Sequence, residues 1–170
     1  PDEVKADLEQ ALDIDPGYAV QIYDTANFRF RYTTDPGTDQ VRDPGVDTAV
    51  NVTLWNQPAA IIGTTVAGNG HPNYVEALGI IMEYALAQFI SPTYGFPNPA
   101  AGGRIVVTLE DLGYLGVAYS SGTITLRRDL SDYFMQDTPI HELFHLIQYL
   151  YIVTGGFNEW YEGTARLHLV

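Results

Sequence analysis

The sequence predicts an α+β fold in which one mixed or antiparallel sheet is packed by helices. Strand-like segments with a two-residue period lie on both sides of a long segment with the 3.6-residue period of a helix. A second helical segment follows the last strands, and no segment of the chain is repeated. The predicted order is therefore strands, helix, strands, helix and a further helix, in a single domain over residues 1–170.

Alternation, β-branched residues and turn residues predict the strands. Phe28-Arg29-Phe30-Arg31-Tyr32 alternates in the strand period, and residues 46–55 are a second candidate. Residues 104–109 are apolar enough to occupy the centre of the sheet. A hairpin is predicted from residues 114–120 and 123–128, with Ser121-Gly122 as its turn.

Turn residues also mark the loops. The Asp-Pro-Gly segments at 35–37 and 43–45 bracket a segment that we expect to be exposed and mobile. Residues 91–103, rich in Pro, Gly and Asn, predict a second loop. Residues 58–71 are small, apolar and glycine-rich, and they predict no definite element.

Two helices are predicted before residues 104–128, the last strands. Residues 2–13 form a short acidic amphipathic helix, and residues 72–90 form a long one that starts with Pro72 in its first turn. One side of the long helix carries an apolar stripe that predicts burial: Val75, Leu78, Met82, Leu86 and Phe89.

The charge of the chain limits its partners. The net charge is −13 with eight basic residues, which disfavours nucleic acid and anionic membranes. No apolar run reaches the length of a membrane-spanning helix. The chain has no cysteine, so a bound metal would have to be held by histidine and carboxylate side chains.

The segment with the clearest functional signal is His-Glu-x-x-His at residues 141–145. Side chains four residues apart on a helix lie roughly 5–6 Å apart, so both imidazoles can reach one Zn²⁺. Glu142 lies beside that ion and is placed to take a proton from a water and pass it to a leaving amine. Thr138 and Pro139 predict the helix start.

A helical wheel separates two faces of this helix. We expect a buried apolar face and an opposite polar face that presents the histidines. The apolar face comprises Ile140, Leu143, Phe144, Ile147, Leu150 and Tyr151; the polar face comprises His141, Glu142, His145, Gln148 and Tyr149.

A third ligand is needed, because catalytic zinc usually takes three from the protein. Downstream, Trp160 and Tyr161 precede Glu162-Gly163-Thr164-Ala165. In this the chain resembles the gluzincins, the thermolysin and aminopeptidase clan, in which a glutamate on a downstream helix is the third zinc ligand. The resemblance implies a zincin-like fold with Glu162 as that ligand. It also implies that the chain, which ends at Val170, lacks a further helical subdomain.

A nearer resemblance is to a family of secreted bacterial metallopeptidases. It rests on residues 28–34, 68–76, 109–113 and, most specifically, 138–167. The resemblance implies a secreted or cell-surface location, although Pro1-Asp2-Glu3-Val4 is not a signal peptide.

Several roles stay open. Glu159 is the second candidate for the third ligand, and Glu162 could instead pair with Arg166 on the surface. Gln148 either supports a zinc ligand or faces solvent. The oxyanion that develops during hydrolysis needs a donor, and none of the candidates is preferred: Tyr119, Tyr149, Tyr161 and His168. His71 is expected to be a loop residue.

The leading hypothesis is a zinc-dependent metallopeptidase that acts on peptide or protein substrates. His141, His145 and Glu162 are its predicted metal ligands and Glu142 its general base. One alternative is an inactive zincin-fold binding module, and another is a zinc amidohydrolase with a non-peptide substrate. The sequence does not determine the oligomeric state.

Overall fold

The computed structural model describes residues 14–151 of the 170-residue chain. Within this range it has seven strands and two helices. Their bounds are β1 (Gln21–Asp24), β2 (Phe28–Tyr32), β3 (Asn51–Leu54), β4 (Gln57–Thr64), α1 (Asn73–Phe89), β5 (Ile105–Glu110), β6 (Gly116–Tyr119), β7 (Thr123–Arg127) and α2 (Asp132–Tyr151). The predicted helices at residues 2–13 and near Asn158 lie outside the described range.

Five strands form a mixed sheet in the order β1-β2-β5-β7-β6. β5 lies at its centre and pairs in parallel with β2 and β7, as its apolar sequence predicted. Both edge strands, β1 and β6, pair antiparallel with their neighbours. The chain crosses from β2 to the parallel strand β5 through α1, a connection that parallel strands require. The predicted α+β architecture with a mixed sheet is therefore confirmed.

A separate antiparallel hairpin joins β3 and β4. The strand predicted over residues 46–55 is restricted to Asn51–Leu54. Residues 48–50 are instead tied to Thr65, whose hydroxyl donates to Thr48 O and whose amide donates to Val50 O. The sequence did not predict β4, because most of its residues are exposed and do not alternate.

The helices share one face of the sheet, since both pack against strands and against each other. The apolar stripe of α1 is buried as predicted. It meets the aromatic side of β2, where Phe28, Phe30 and Tyr32 are fully buried. Gly79 allows this approach, because a Cβ there would lie 2.9 Å from the Tyr23 ring.

α2 begins earlier than predicted. Its first residue is Asp132, so Pro139 lies inside the helix, and Thr138 is not its N-cap. Proline lacks the amide hydrogen that would bond to the carbonyl four residues earlier. Met135 and Pro139 are both buried, so tertiary packing overrides the local signal that predicted a helix start at Thr138 and Pro139.

The segment between the two Asp-Pro-Gly turns is not the exposed loop that was predicted. Val41 is fully buried, and Asp39 is also buried. The Asp39 carboxylate accepts hydrogen bonds from the amides of Asp15 and Asp111. This segment therefore fastens the chain before β1 to the end of β5.

No helix among residues 14–151 combines the length and the apolar character that crossing a membrane requires.

Candidate metal centre

The two histidines of α2 converge on one point. His141 Nε2 and His145 Nε2 lie 3.0 Å apart, and their rings are nearly perpendicular. Two nitrogens at 2.0–2.1 Å from a tetrahedral Zn²⁺ would lie about 3.3–3.4 Å apart. The pair would therefore have to open by only about 0.3–0.4 Å to share an ion. These two residues fit zinc as ligands.

Gln148 supports this arrangement from behind. Its Oε1 lies 2.7 Å from His145 Nδ1. An amide oxygen only accepts hydrogen bonds, so the bond requires the proton of His145 on Nδ1. The lone pair is then on Nε2, which faces His141. The sequence left two roles open for Gln148, and the structure favours support of a ligand.

The polar face of α2, which was predicted to present the histidines, is largely buried. Glu142, His145 and Gln148 are only 6%, 7% and 3% exposed. In contrast, Leu150 and Tyr151 on the predicted apolar face are more than half exposed. β6 covers part of the polar side, since Gly116 lies against Thr138 and Glu142 and Ala118 accepts a hydrogen bond from Tyr149. Leu150 and Tyr151 are the last two residues of α2.

Gly116 in β6 permits this close approach. A Cβ at this position would lie 2.9 Å from Thr138 Cγ2 and 3.1 Å from Glu142 Cγ. Only a residue without a side chain lets the strand lie this close to Glu142. The sequence reasoning missed Gly116; a glycine inside the strand predicted over residues 114–120 was the available signal.

Tyr149 also joins α2 to β6. Its hydroxyl donates to Ala118 O at 3.3 Å. Tyr149 is one of the four candidate oxyanion donors, and its hydroxyl hydrogen is directed at a main-chain oxygen. Tyr119 lies at the end of β6, where burial raises the pKa of its phenol. Tyr161 and His168 lie outside the described residues.

β6 has one open edge within the described part of the chain. Arg127 N donates to Leu115 O, and the register continues with Val117 opposite Thr125. In an antiparallel pair, alternate residues direct their main-chain groups to the partner strand. The main-chain groups of Gly116 and Ala118 therefore point away from β7, towards the edge of the sheet, where the Tyr149 hydroxyl of α2 reaches Ala118 O.

The predicted third ligand, Glu162, and its alternative, Glu159, lie outside the described residues. Residues 14–151 contain no cluster of three or more His, Cys, Asp or Glu side chains able to hold a metal. His71 is a loop residue as expected: its Nδ1 lies 2.8 Å from the Tyr32 hydroxyl. The described part of the centre is thus the two histidines with Glu142 and Gln148.

Comparison with known proteins found no matching family model, no matching curated protein and no matching solved structure.

Proposed function

We propose that this protein is a zinc-dependent metallopeptidase of the gluzincin type. The observation that carries the proposal is the pair of imidazole nitrogens 3.0 Å apart on a buried helix face beside an open strand edge. Helical histidines four residues apart occur by chance, but a chance pair has no need of a hydrogen bond that fixes one ring. The hydrogen bond that His145 Nδ1 donates to Gln148 Oε1 has that effect.

The proposed ligands are His141, His145 and Glu162. Zn²⁺ held by these residues would supply Lewis acid catalysis and lower the pKa of a water. Glu142 would take a proton from the attacking water while the water oxygen bonds to the peptide carbonyl carbon. Glu142 would then give that proton to the amine nitrogen as the carbon–nitrogen bond breaks. Its burial against Gly116 restricts the carboxylate to the side of the helix that faces β6.

β6 supports a peptide as the substrate. An extended peptide could pair with the main-chain groups of Gly116 and with the amide of Ala118, adding a strand to the sheet. Ala118 O already accepts a hydrogen bond from the Tyr149 hydroxyl, so it is not counted among the pairing groups. Such pairing would place a peptide bond alongside α2. A small amide without a peptide backbone would gain nothing from this edge, which is why we prefer a peptidase to an amidohydrolase.

A second candidate is a zincin-fold module that binds zinc or a peptide without turnover. The engagement of Tyr149 with Ala118 O favours it, because this tyrosine is then not available as an oxyanion donor. The peptidase and the binding module differ only in whether they cleave a peptide, so a peptide-cleavage assay distinguishes them.

The test is zinc analysis followed by peptide cleavage, with Glu142→Gln as the decisive variant. We expect bound zinc in both proteins and a loss of activity of about 10²–10⁴-fold in the variant, because only the proton transfer is removed. Asp43→Asn is the matched control, since it makes the same carboxylate-to-amide change in an exposed loop. Undiminished cleavage by Glu142→Gln, or a protein that never takes up zinc, would refute the peptidase.

Zinc uptake without cleavage of any peptide in a diverse library would instead support the binding module.

A further inference from the structure

A second candidate site lies on the other side of α2. A cavity of about 160 Å³ opens between the first half of α2, the end of α1 and the β3–β4 turn. Gln136 and Ile140, one turn apart on α2, form one wall. Thr138 and Glu142, also one turn apart, face β6 instead. The cavity is therefore separate from the proposed zinc centre.

The lining of this cavity is uncharged. Although 17% of the chain's residues are charged, the described residues around the cavity include no Asp, Glu, Lys or Arg. Side-chain amides and aromatic rings dominate instead. The amides are Asn56, Gln57, Gln88 and Gln136, and the rings are Trp55, Tyr84, Phe89 and Tyr94.

Several polar side chains of this lining are open to a ligand. Asn56, Gln57 and Gln88 are exposed and Tyr84 is half-buried, and none of these four side chains makes a hydrogen bond to any described residue. Each amide offers two donors and an acceptor, and the phenol offers one of each. Gln136 differs, because its Oε1 accepts the amide hydrogen of Trp55 at 2.5 Å. That bond fixes the main chain of Trp55 at the rim.

Two large aromatic side chains stand exposed at the cavity. Trp55 is 55% exposed and Tyr94 is 54% exposed. The ring of Tyr133 lies 6.3 Å from the ring of Trp55, and this contact supports the indole without covering it. Exposed aromatic rings beside polar groups are typical of binding sites, because the rings supply apolar contact area with few rotatable bonds.

We propose that this cavity binds one ring of a neutral carbohydrate. A pyranose has apolar C–H faces, which suit an aromatic surface, and a rim of hydroxyls, which suits unpaired amides. The volume is of the right order for the ring itself, since a closed apolar cavity of about 150 Å³ holds benzene, which is also a six-membered ring. The absence of charge among the described lining residues favours a neutral sugar over a uronic acid or an amine. This site is independent of the proposed peptidase activity.

The test uses the intact chain and four neutral trisaccharides: cellotriose, maltotriose, mannotriose and N,N′,N″-triacetylchitotriose. Binding is followed by titration calorimetry and by tryptophan fluorescence, with and without EDTA. We expect saturable binding of at least one probe below about 10 mM, unaffected by EDTA. Trigalacturonic acid, the charged probe, should bind at least about tenfold more weakly than the best neutral one.

Trp55→Ala and Gln88→Ala should each weaken this binding by about tenfold or more. Tyr114→Ala is the control, because Tyr114 is an equally exposed aromatic residue that does not line the cavity. Gln88 is exposed on α1, so its replacement tests the site even if Trp55→Ala fails to fold. Binding of none of the neutral probes, equal binding of the charged probe, or binding that survives Gln88→Ala would overturn the proposal.

Discussion

At the residue scale, most polar side chains on one side of α2 are buried rather than exposed to solvent. A buried polar group costs free energy unless it is hydrogen-bonded, so Glu142, His145 and Gln148 all need partners. Between His145 and Gln148 that partnership is direct. Apolar residues at these positions would pack without that cost, and this is one reason for proposing a zinc site here.

The bond between Gln148 and His145 gives a residue-scale prediction. Gln148→Ala should weaken zinc binding by about 10–100-fold, because His145 loses the acceptor that orients its ring. Gln148→Glu should retain the affinity, since a carboxylate accepts the same hydrogen bond. Zinc affinity is measured by competition with a chromogenic chelator.

A purely structural role for Gln148 predicts otherwise. Gln148→Ala would then lower the free energy of unfolding and leave zinc affinity unchanged, and Gln148→Glu would not restore what was lost.

Asp47 makes a second prediction at this scale. Its carboxylate accepts hydrogen bonds from Gly70 N at 2.8 Å and Gly68 N at 2.6 Å, and these bonds lower its pKa. A carboxylate with a lowered folded-state pKa stabilises the fold above its unfolded pKa, and this stabilisation is lost as pH falls through the folded value. Asp47→Asn should therefore destabilise the protein at neutral pH and flatten the acid limb of its stability profile below about pH 4.

Urea unfolding at a series of pH values measures this, with Asp43→Asn as control. An acid limb identical to that of the unsubstituted protein would contradict the role assigned to Asp47.

At the element scale, the contact between α2 and β6 depends on one missing side chain. Gly116→Ala would place a Cβ within 3.1 Å of atoms from Thr138, Leu126 and Glu142. Moving the strand or the helix apart would cost free energy, because β6 is hydrogen-bonded to β7 and α2 packs against both strands. We expect a loss of about 1–3 kcal/mol in the free energy of unfolding. We also expect lower peptidase activity, because Glu142 is displaced.

The chain offers a matched control in Gly113→Ala. An added Cβ at Gly113 meets nothing within 4 Å, and its backbone needs no left-handed conformation. Urea denaturation curves that shift equally for both variants would show that the α2–β6 contact is not tight.

At the scale of the whole molecule, a bound metal should couple to folding. The histidines come from one helix, but the proposed third ligand follows later in the chain, so zinc would bind the folded state better than the unfolded one. Zinc at 100 times its dissociation constant would then add about 2.7 kcal/mol. For a chain of this size the melting temperature should rise by about 5–10 °C.

Differential scanning calorimetry with zinc and with EDTA measures this rise. Glu142→Gln should keep it, whereas His145→Ala should abolish it. A rise that persists in His145→Ala would place the zinc elsewhere.

The sequence predicted the elements whose own residues show a clear periodicity, apolar run or turn. The stripe of α1, the apolar run of β5 and the Ser121-Gly122 hairpin are all found as predicted. It did not predict β4, the start of α2 or the burial of Val41, because each depends on neighbours distant along the chain. The gluzincin likeness and the secreted location stay predictions.

By itself, the sequence determined that two imidazoles lie one helical turn apart with a glutamate beside them, because helix geometry fixes side chains four residues apart. Only the tertiary structure decided that this polar face is buried. It lies under β6, which crosses α2 at Gly116, and no periodicity in one helix reveals which strand will cover it. The cavity at Trp55 was likewise undetermined, since its lining residues come from three separate stretches of the chain.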